Sequence, residues 1–163
     1  MSKARNVDQR IGVFVDVQNM YYSAKNLYNT KVNFKTLLRD AVANRKLIRA
    51  IAYVIKADMK DEHMFYEALV EMGFEVKAKD LQVFLGGAKK GDWDVGIAMD
   101  ALRVAPKVDS VVLVSGDGDF TELLKHLQSL GCRAEVMSFR KTASNKLIEE
   151  ADSFIELDTR YLI

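Results

Sequence analysis

The sequence predicts a three-layer α/β sandwich around a mainly parallel central sheet, and three observations predict it. Apolar runs of strand length, rich in β-branched residues, recur along the chain, as at residues 11–15, 47–55 and 108–114. Between them lie stretches whose apolar residues recur at helical spacing, so strands and helices alternate throughout. The principal runs are continuous rather than alternating, as in parallel strands covered on both faces, and a single proline interrupts the chain.

Taken in order, the first strand (IGVFV, residues 11–15) ends at Asp16. Residues 17–28 follow as a turn and helix with Asn19 as its N-cap, and Tyr21, Tyr22 and Leu27 available to pack. Asn33 caps a second helix over 34–44, where Phe34, Leu37, Leu38, Ala41 and Val42 form a stripe. A second strand spans 47–55. The helix after it, 61–72, carries Met64, Phe65, Ala68, Leu69 and Met72 and stops at Gly73, with Asp58 read as a cap before it. Residues 74–78 read as a third main strand and 81–85 as a short hairpin or extension.

A glycine-flanked loop, 86–91, leads into a helix on which Asp94, Ile97, Ala98, Ala101 and Leu102 share one face. Pro106 ends it, and the strand 108–114 runs into SGDGDF, residues 115–120. Phe120, Leu123, Leu124, Leu127 and Leu130 mark the next helix, 133–137 a fifth strand, 144–151 a final helix and 154–157 a last edge strand.

Composition bounds the function classes. The 163 residues hold 24 Lys and Arg against 23 Asp and Glu, so a nucleic-acid surface would have to be a local basic patch. The length and the ordinary apolar content predict one domain over 1–163. Cys132 is the only cysteine, which excludes an intrachain disulfide and a thiolate cluster; it reads as a small buried hydrophobe. The charged start MSKARNVDQR is no signal peptide, and no apolar segment approaches bilayer length. The expectation is a cytoplasmic protein with no membrane contact.

Chemistry concentrates where strands end. Asp16 closes the first strand, and Asp117 and Asp119 follow the fourth across a turn whose glycines allow a sharp bend. If those strands are neighbours, the acids converge, and that much negative charge calls for a divalent cation. Asp94 heads the buried stripe of its helix, where a lone carboxylate is costly. Structural duties compete for each residue. Asp119 with Glu122 matches a capping box, Asp92 is an N-cap for the helix of Asp94, and Asp100 reads as structural.

An oxygen-only donor set suits Mg²⁺ or Mn²⁺. The loop fails as a calcium loop, because Glu122 stands at the required glycine and Gln128 at the bidentate glutamate. His63 and His126 lie on polar helix faces, and no GxSxG, Walker or GxGxxG pattern is present. Lys56, Lys89, Lys90, Arg140 and Lys141 fall near the same sheet edge, positioned to hold a polyphosphate backbone. Of Tyr21 and Tyr22, one packs in the core and the other is free to stack on a base.

Four segments, VFVDVQNMYYSAKN, KKGDWDVGIAMDA, VVLVSGDGDF and SNKLIEEADSFIELD, together resemble in order and spacing the NYN domains of the LabA/DUF88 group within the PIN-like nuclease superfamily. The resemblance covers almost the whole chain. It implies a sheet of order 3-2-1-4-5 with the Asp16 and Asp117 strands adjacent. It also implies metal-dependent ribonuclease chemistry in which Asp16, Asp94 and Asp117 are ligands and Asp119 a fourth acid. Asn19 matches the asparagine that positions water or Asp16. The substrate class would be RNA, single-stranded, and pairing into a homodimer is a family habit. Trp93 stands where relatives carry an aliphatic residue and is expected to make the pocket rim bulkier.

Competing readings are a non-catalytic RNA-binding module on the same fold and a magnesium-dependent phosphohydrolase. A haloacid dehalogenase needs an acid at Gln18, and a Toprim enzyme a glutamate at Asp16, so the second fits poorly.

Overall fold

The computed structural model describes residues 5–56, 62–80, 82–83, 89–90 and 92–163. In chain order these are β1 (Arg10–Asp16), α1 (Val17–Tyr28), α2 (Phe34–Val42), β2 (Lys46–Lys56), α3 (Glu62–Met72) and β3 (Glu75–Asp80). The short β4 (Gln82–Val83) and β5 (Lys89–Lys90) precede α4 (Asp94–Val104), β6 (Ser110–Val114), α5 (Thr121–Ser129), β7 (Arg133–Ser138), α6 (Asn145–Glu150) and β8 (Ser153–Glu156). The main sheet has the order β3-β2-β1-β6-β7-β8 with every pairing parallel, as expected of the sequence and extended by the edge strand β8. β4 and β5 form a separate antiparallel ribbon.

Alternate residues of the central strands feed two cores. Val13, Val15, Ala52, Val112 and Val114 face α1, α2 and α3, while Phe14, Ile51, Leu113 and Val136 face α4, α5 and α6. Both faces of β1 and β6 are therefore apolar, which is why those strands read as unbroken hydrophobic runs. Double-sided burial also pins the register, since a one-residue slip would exchange the faces. Cys132 is buried, as expected, and burial pushes its thiol up to about 11. Among the described residues no helix is long and apolar enough to cross a membrane.

Several local expectations are corrected. The N-cap of α1 is Asp16, whose Oδ1 accepts the Asn19 amide at 3.2 Å; Asn19 sits inside the first turn. Helix α2 stops at Val42, with Ala43 in the left-handed region at φ 51. The stripe assigned to α3 is only partly buried, for Leu69 is fully covered while Met64 is 70% exposed. Tyr21 and Tyr22 are both exposed, so neither packs in the core. His63 is exposed, as expected, with its Nε2 2.9 Å from the likewise exposed Glu67 one turn on. Asp58 lies outside the described residues.

A buried ion cluster holds the amino-terminal edge of the sheet. Glu135 on β7 is fully buried; it accepts hydrogen bonds from Arg45 Nη1 and Arg5 Nε, each at 2.6 Å, and from the Ser110 hydroxyl. Burial alone would raise its carboxyl, but the bonds from Arg45, Ser110 and Arg5 outweigh it and hold it below the usual range. Arg45 also donates to the carbonyls of Ala41 (2.7 Å) and Val42 (3.0 Å), capping the end of α2. Arg45→Met leaves Glu135 poorly compensated and should lower the urea-unfolding free energy by about 3–5 kcal/mol, whereas adding Glu135→Leu should restore much of the loss.

Candidate functional site

At the opposite edge, β1 and β6 run side by side with Val15 level with Val114. The next residues, Asp16 and Ser115, meet directly: the Ser115 hydroxyl donates to Asp16 Oδ2 at 3.2 Å. Asp16 therefore caps α1 with one oxygen and holds the β6 loop with the other. Asn19 Oδ1 accepts the Gly116 amide at 3.0 Å and ties α1 to that loop a second time. Ser115 Oγ in turn accepts the Asp117 amide at 3.2 Å. The result is a turn held from both sides, with Asp117 at its crest.

The glycines of this turn are required by close approach. A Cβ on Gly116 would lie 2.7 Å from Ser138 Oγ and 2.9 Å from Ala143 Cα, and one on Gly118 would lie 2.7 Å from Ser144 Oγ. The segment after β7 presses on the loop, and the Ser144 amide donates to the Gly116 carbonyl at 2.9 Å. The sharp-bend explanation is thus replaced by a packing one.

One oxygen from each of Asp94, Asp117 and Asp119 falls within 4.8 Å of the others. Helix α4 delivers Asp94 at its first position, where the Asp92 side chain accepts the Asp94 amide at 3.2 Å. Trp93 supports this arrangement from outside the cleft. Its ring packs 5.3 Å from that of Tyr53, its Nε1 donates to the Val54 carbonyl at 2.8 Å, and it lies across Gly96, where a Cβ would come within 2.5 Å of it. It does not line the cleft, contrary to the expected bulky rim.

Asp119 has no capping duty. The turn of residues 118–120 is capped by Asp117, whose Oδ1 accepts the Asp119 amide at 2.9 Å, and Asp119 itself is exposed with no hydrogen bond to its carboxylate among the described residues. Asp16 lines one cleft with Asp94 and Asp117, while Asp119 faces a neighbouring one, and Asp16 does not join the tight triad.

The electrostatics are those of an anionic centre short of positive charge. Burial, followed by the charge of Asp117 and those of Asp92 and Asp16, raises the Asp94 carboxyl to about 7. Burial also raises Asp16, against the opposing pull of the Asn19 amide and the Ser115 hydroxyl. The contrast with Asp100 is instructive. That buried acid is held low because bonds from Lys77, Tyr53 and Arg103 outweigh its burial, confirming a structural role. The Asp94 triad offers only oxygen donors in close array, a set that fits a hard divalent cation.

Asp16, Asp92, Asp94 and Asp117 open onto a cleft of about 340 Å³ that residues of α1 also line. Asn19 and Tyr22 both reach it. Sequence reasoning left out Asp92, which it treated as a cap alone, and also Gln18 and Asn26, which share the face of Tyr22 at four-residue spacing. Arg140 is drawn to the sheet edge, 3.5 Å from Glu156 and stacked on Phe154 at 4.9 Å. Lys141 is exposed beside Thr142, which lines the cleft. Lys89 and Lys90 form the backbone of β5, and their side chains lie outside the described parts.

The sequence pattern of the NYN domain matches residues 10–158. The low amplitude and bright protein LabA of Synechococcus elongatus is 27% identical over 158 residues, covering 91% of this chain and 84% of its own. A crystal structure of a protein of unknown function from Vibrio parahaemolyticus superposes with a TM-score of 0.90 at 34% identity, covering 99% of this chain and all of that one.

The raised Asp94 gives a signed pH dependence. Between 3.8, its unfolded value, and about 7 the folded chain binds the extra proton, so this contribution to stability is lost as pH rises through that window. Solvent screening of a half-buried group limits the loss to about 1–2 kcal/mol. In EDTA, Asp94→Asn should match the parent at pH 4 and exceed it by that amount at pH 8, as read by denaturant unfolding.

Proposed function

Because the chain belongs to the NYN domain family, a family of PIN-like nucleases, we propose that it is a metal-dependent ribonuclease acting through Asp16, Asp94, Asp117 and Asp119. The observation that carries this reading is the convergence of the Asp94, Asp117 and Asp119 carboxylates within 4.8 Å, with Asp94 holding its proton up to about 7. Perturbed acids gathered at the carboxyl edge of a parallel sheet, where β1 and β6 diverge, mark the usual place for chemistry.

In this reading Asp94, Asp117 and Asp119 hold Mg²⁺ or Mn²⁺, which when bound activates water and offsets charge on the phosphate. Asp94 must give up its proton to serve as a ligand, so proton and cation compete for it. Asp16, fixed by the Asn19 amide and Ser115, completes the anionic wall and orients what enters the cleft. Asn19 is a positioning residue, since its side-chain Oδ1 holds the Gly116 amide and with it the Asp117 turn. Asp119, whose carboxylate makes no hydrogen bond among the described residues, is available as the third ligand or to orient water.

The substrate is single-stranded RNA. A narrow cleft with an exposed tyrosine at its wall suits unstacked bases better than a duplex groove. Lys141, and with it Lys89 and Lys90, is assigned to the phosphate backbone; Arg140 serves that role only if it leaves Glu156.

Labelled single-stranded RNA incubated with Mn²⁺, Mg²⁺ or EDTA tests the proposal. Cleavage is expected only with the metals, and Asp16→Asn and Asp117→Asn should each reduce it by roughly 10²–10³-fold, the scale of losing one preorganised electrostatic group. Cutting that persists in EDTA, or unchanged rates in both folded variants, would overturn it.

A further inference from the structure

We propose that α1 carries a base-reading subsite made of Gln18, Tyr22 and Asn26, which rests on the reading that this cleft receives single-stranded RNA. The three residues stand at four-residue intervals and so lie one above another on a single helix face. All three line the same cleft as Asp16, Asp92, Asp94 and Asp117. The cleft therefore joins a group of carboxylates to an uncharged, polar and aromatic helix face.

The chemistry of the neutral face matches a nucleobase. Tyr22 is 53% exposed and is braced edge-on by Tyr21, with ring centroids 5.4 Å apart at 74°. An exposed ring of this kind stacks on any base, because every base has a π face. Gln18 and Asn26 flank it by one turn on either side. Neither side-chain amide makes a hydrogen bond within the described residues, so each offers an unused donor and acceptor. Side-chain amides pair with the adjacent donor and acceptor on a base edge, and that pairing distinguishes one base from another.

The face is also held in place. On the core side of α1, Val17, Met20 and Ala24 are buried, and Asp16 and Asn19 anchor its first turn to the sheet edge. At the far end of the cleft the Thr142 hydroxyl bonds to Ser23 Oγ at 3.0 Å. The helix cannot turn its amides away without breaking these contacts. A nucleotide lying in the cleft would put its phosphate toward the acids and its base on α1, so base choice is exercised next to the bond being cut.

The experiment has two arms. Cleavage products of a randomised single-stranded RNA pool are sequenced for the parent, Gln18→Ala, Asn26→Ala, Tyr22→Ala and Tyr22→Phe, and short homopolymers of each base are titrated by fluorescence anisotropy in EDTA. The parent should prefer one base at one position beside the cut. Gln18→Ala and Asn26→Ala should flatten that preference by roughly 5- to 150-fold, the scale of one good base contact. Tyr22→Ala should weaken all four bases alike, and Tyr22→Phe should keep both affinity and preference. A parent that cuts RNA while the amide variants keep its preference overturns the subsite and leaves the nuclease reading standing. If the parent cuts nothing but binds one homopolymer selectively, and the amide variants lose that selectivity, the subsite holds and the nuclease reading falls. Absence of base preference in both arms overturns the subsite.

Discussion

The parallel pairing of β1 with β6 is the constraint on which the rest of this molecule depends. It places Asp16 and Ser115, 99 residues apart in sequence, within one hydrogen bond of each other. The pairing is secured by burial on two faces, because Val13, Val15, Val112 and Val114 serve one core while Phe14 and Leu113 serve the other. Neither strand can slip by one residue without exchanging the two sets between the cores. The strand ends are consequently held level, and every acid of the site is carried on a segment leaving one of them or on the helix delivered beside them.

The two edges of the sheet handle buried carboxylates in opposite ways. At the amino-terminal edge Glu135 is surrounded by arginines and a hydroxyl, and its carboxyl is held low. At the carboxyl edge Asp94 meets other carboxylates, and its carboxyl is driven up. The first arrangement satisfies its carboxylate and holds loops and strands together. The second leaves an electrostatic debt within the protein that only a bound cation or proton relieves. A fold that satisfies one acid so thoroughly and leaves its counterpart unsatisfied has concentrated its chemistry at one edge.

Asp16 and Asp119 illustrate how structural duty and chemical availability separate. Asp16 caps a helix and holds a loop at once, so its substitution acts on architecture as well as on charge. Asp119, which the local sequence marks as a capping residue, has no such task, since Asp117 takes the cap. Trp93 and Gly96 show the same logic on α4. The ring bonds to Val54 and lies across the glycine, fixing the turn that delivers Asp94.

The layered fold class was legible in the alternation of continuous apolar strands with amphipathic helices, and the family, with the sheet order it implies, in the acidic segments that resemble it in order and spacing. Strand ends were legible for the same reason: Asp16 and Asp117 each close an apolar run. Local signals failed where two residues competed for one local job. Asn19 and Asp16 could both cap α1, and the choice fell to Asp16 because its second oxygen also meets Ser115 across the sheet. Asp92, Gln18 and Asn26 became site residues only when α4 and α1 were brought to one cleft. The sequence by itself determined the layers, the strand ends and the supply of acids, all set by short-range periodicity. Tertiary structure alone decided which acids lie close together, which are spent on capping and which amides are left free, because those depend on partners supplied by distant parts of the chain.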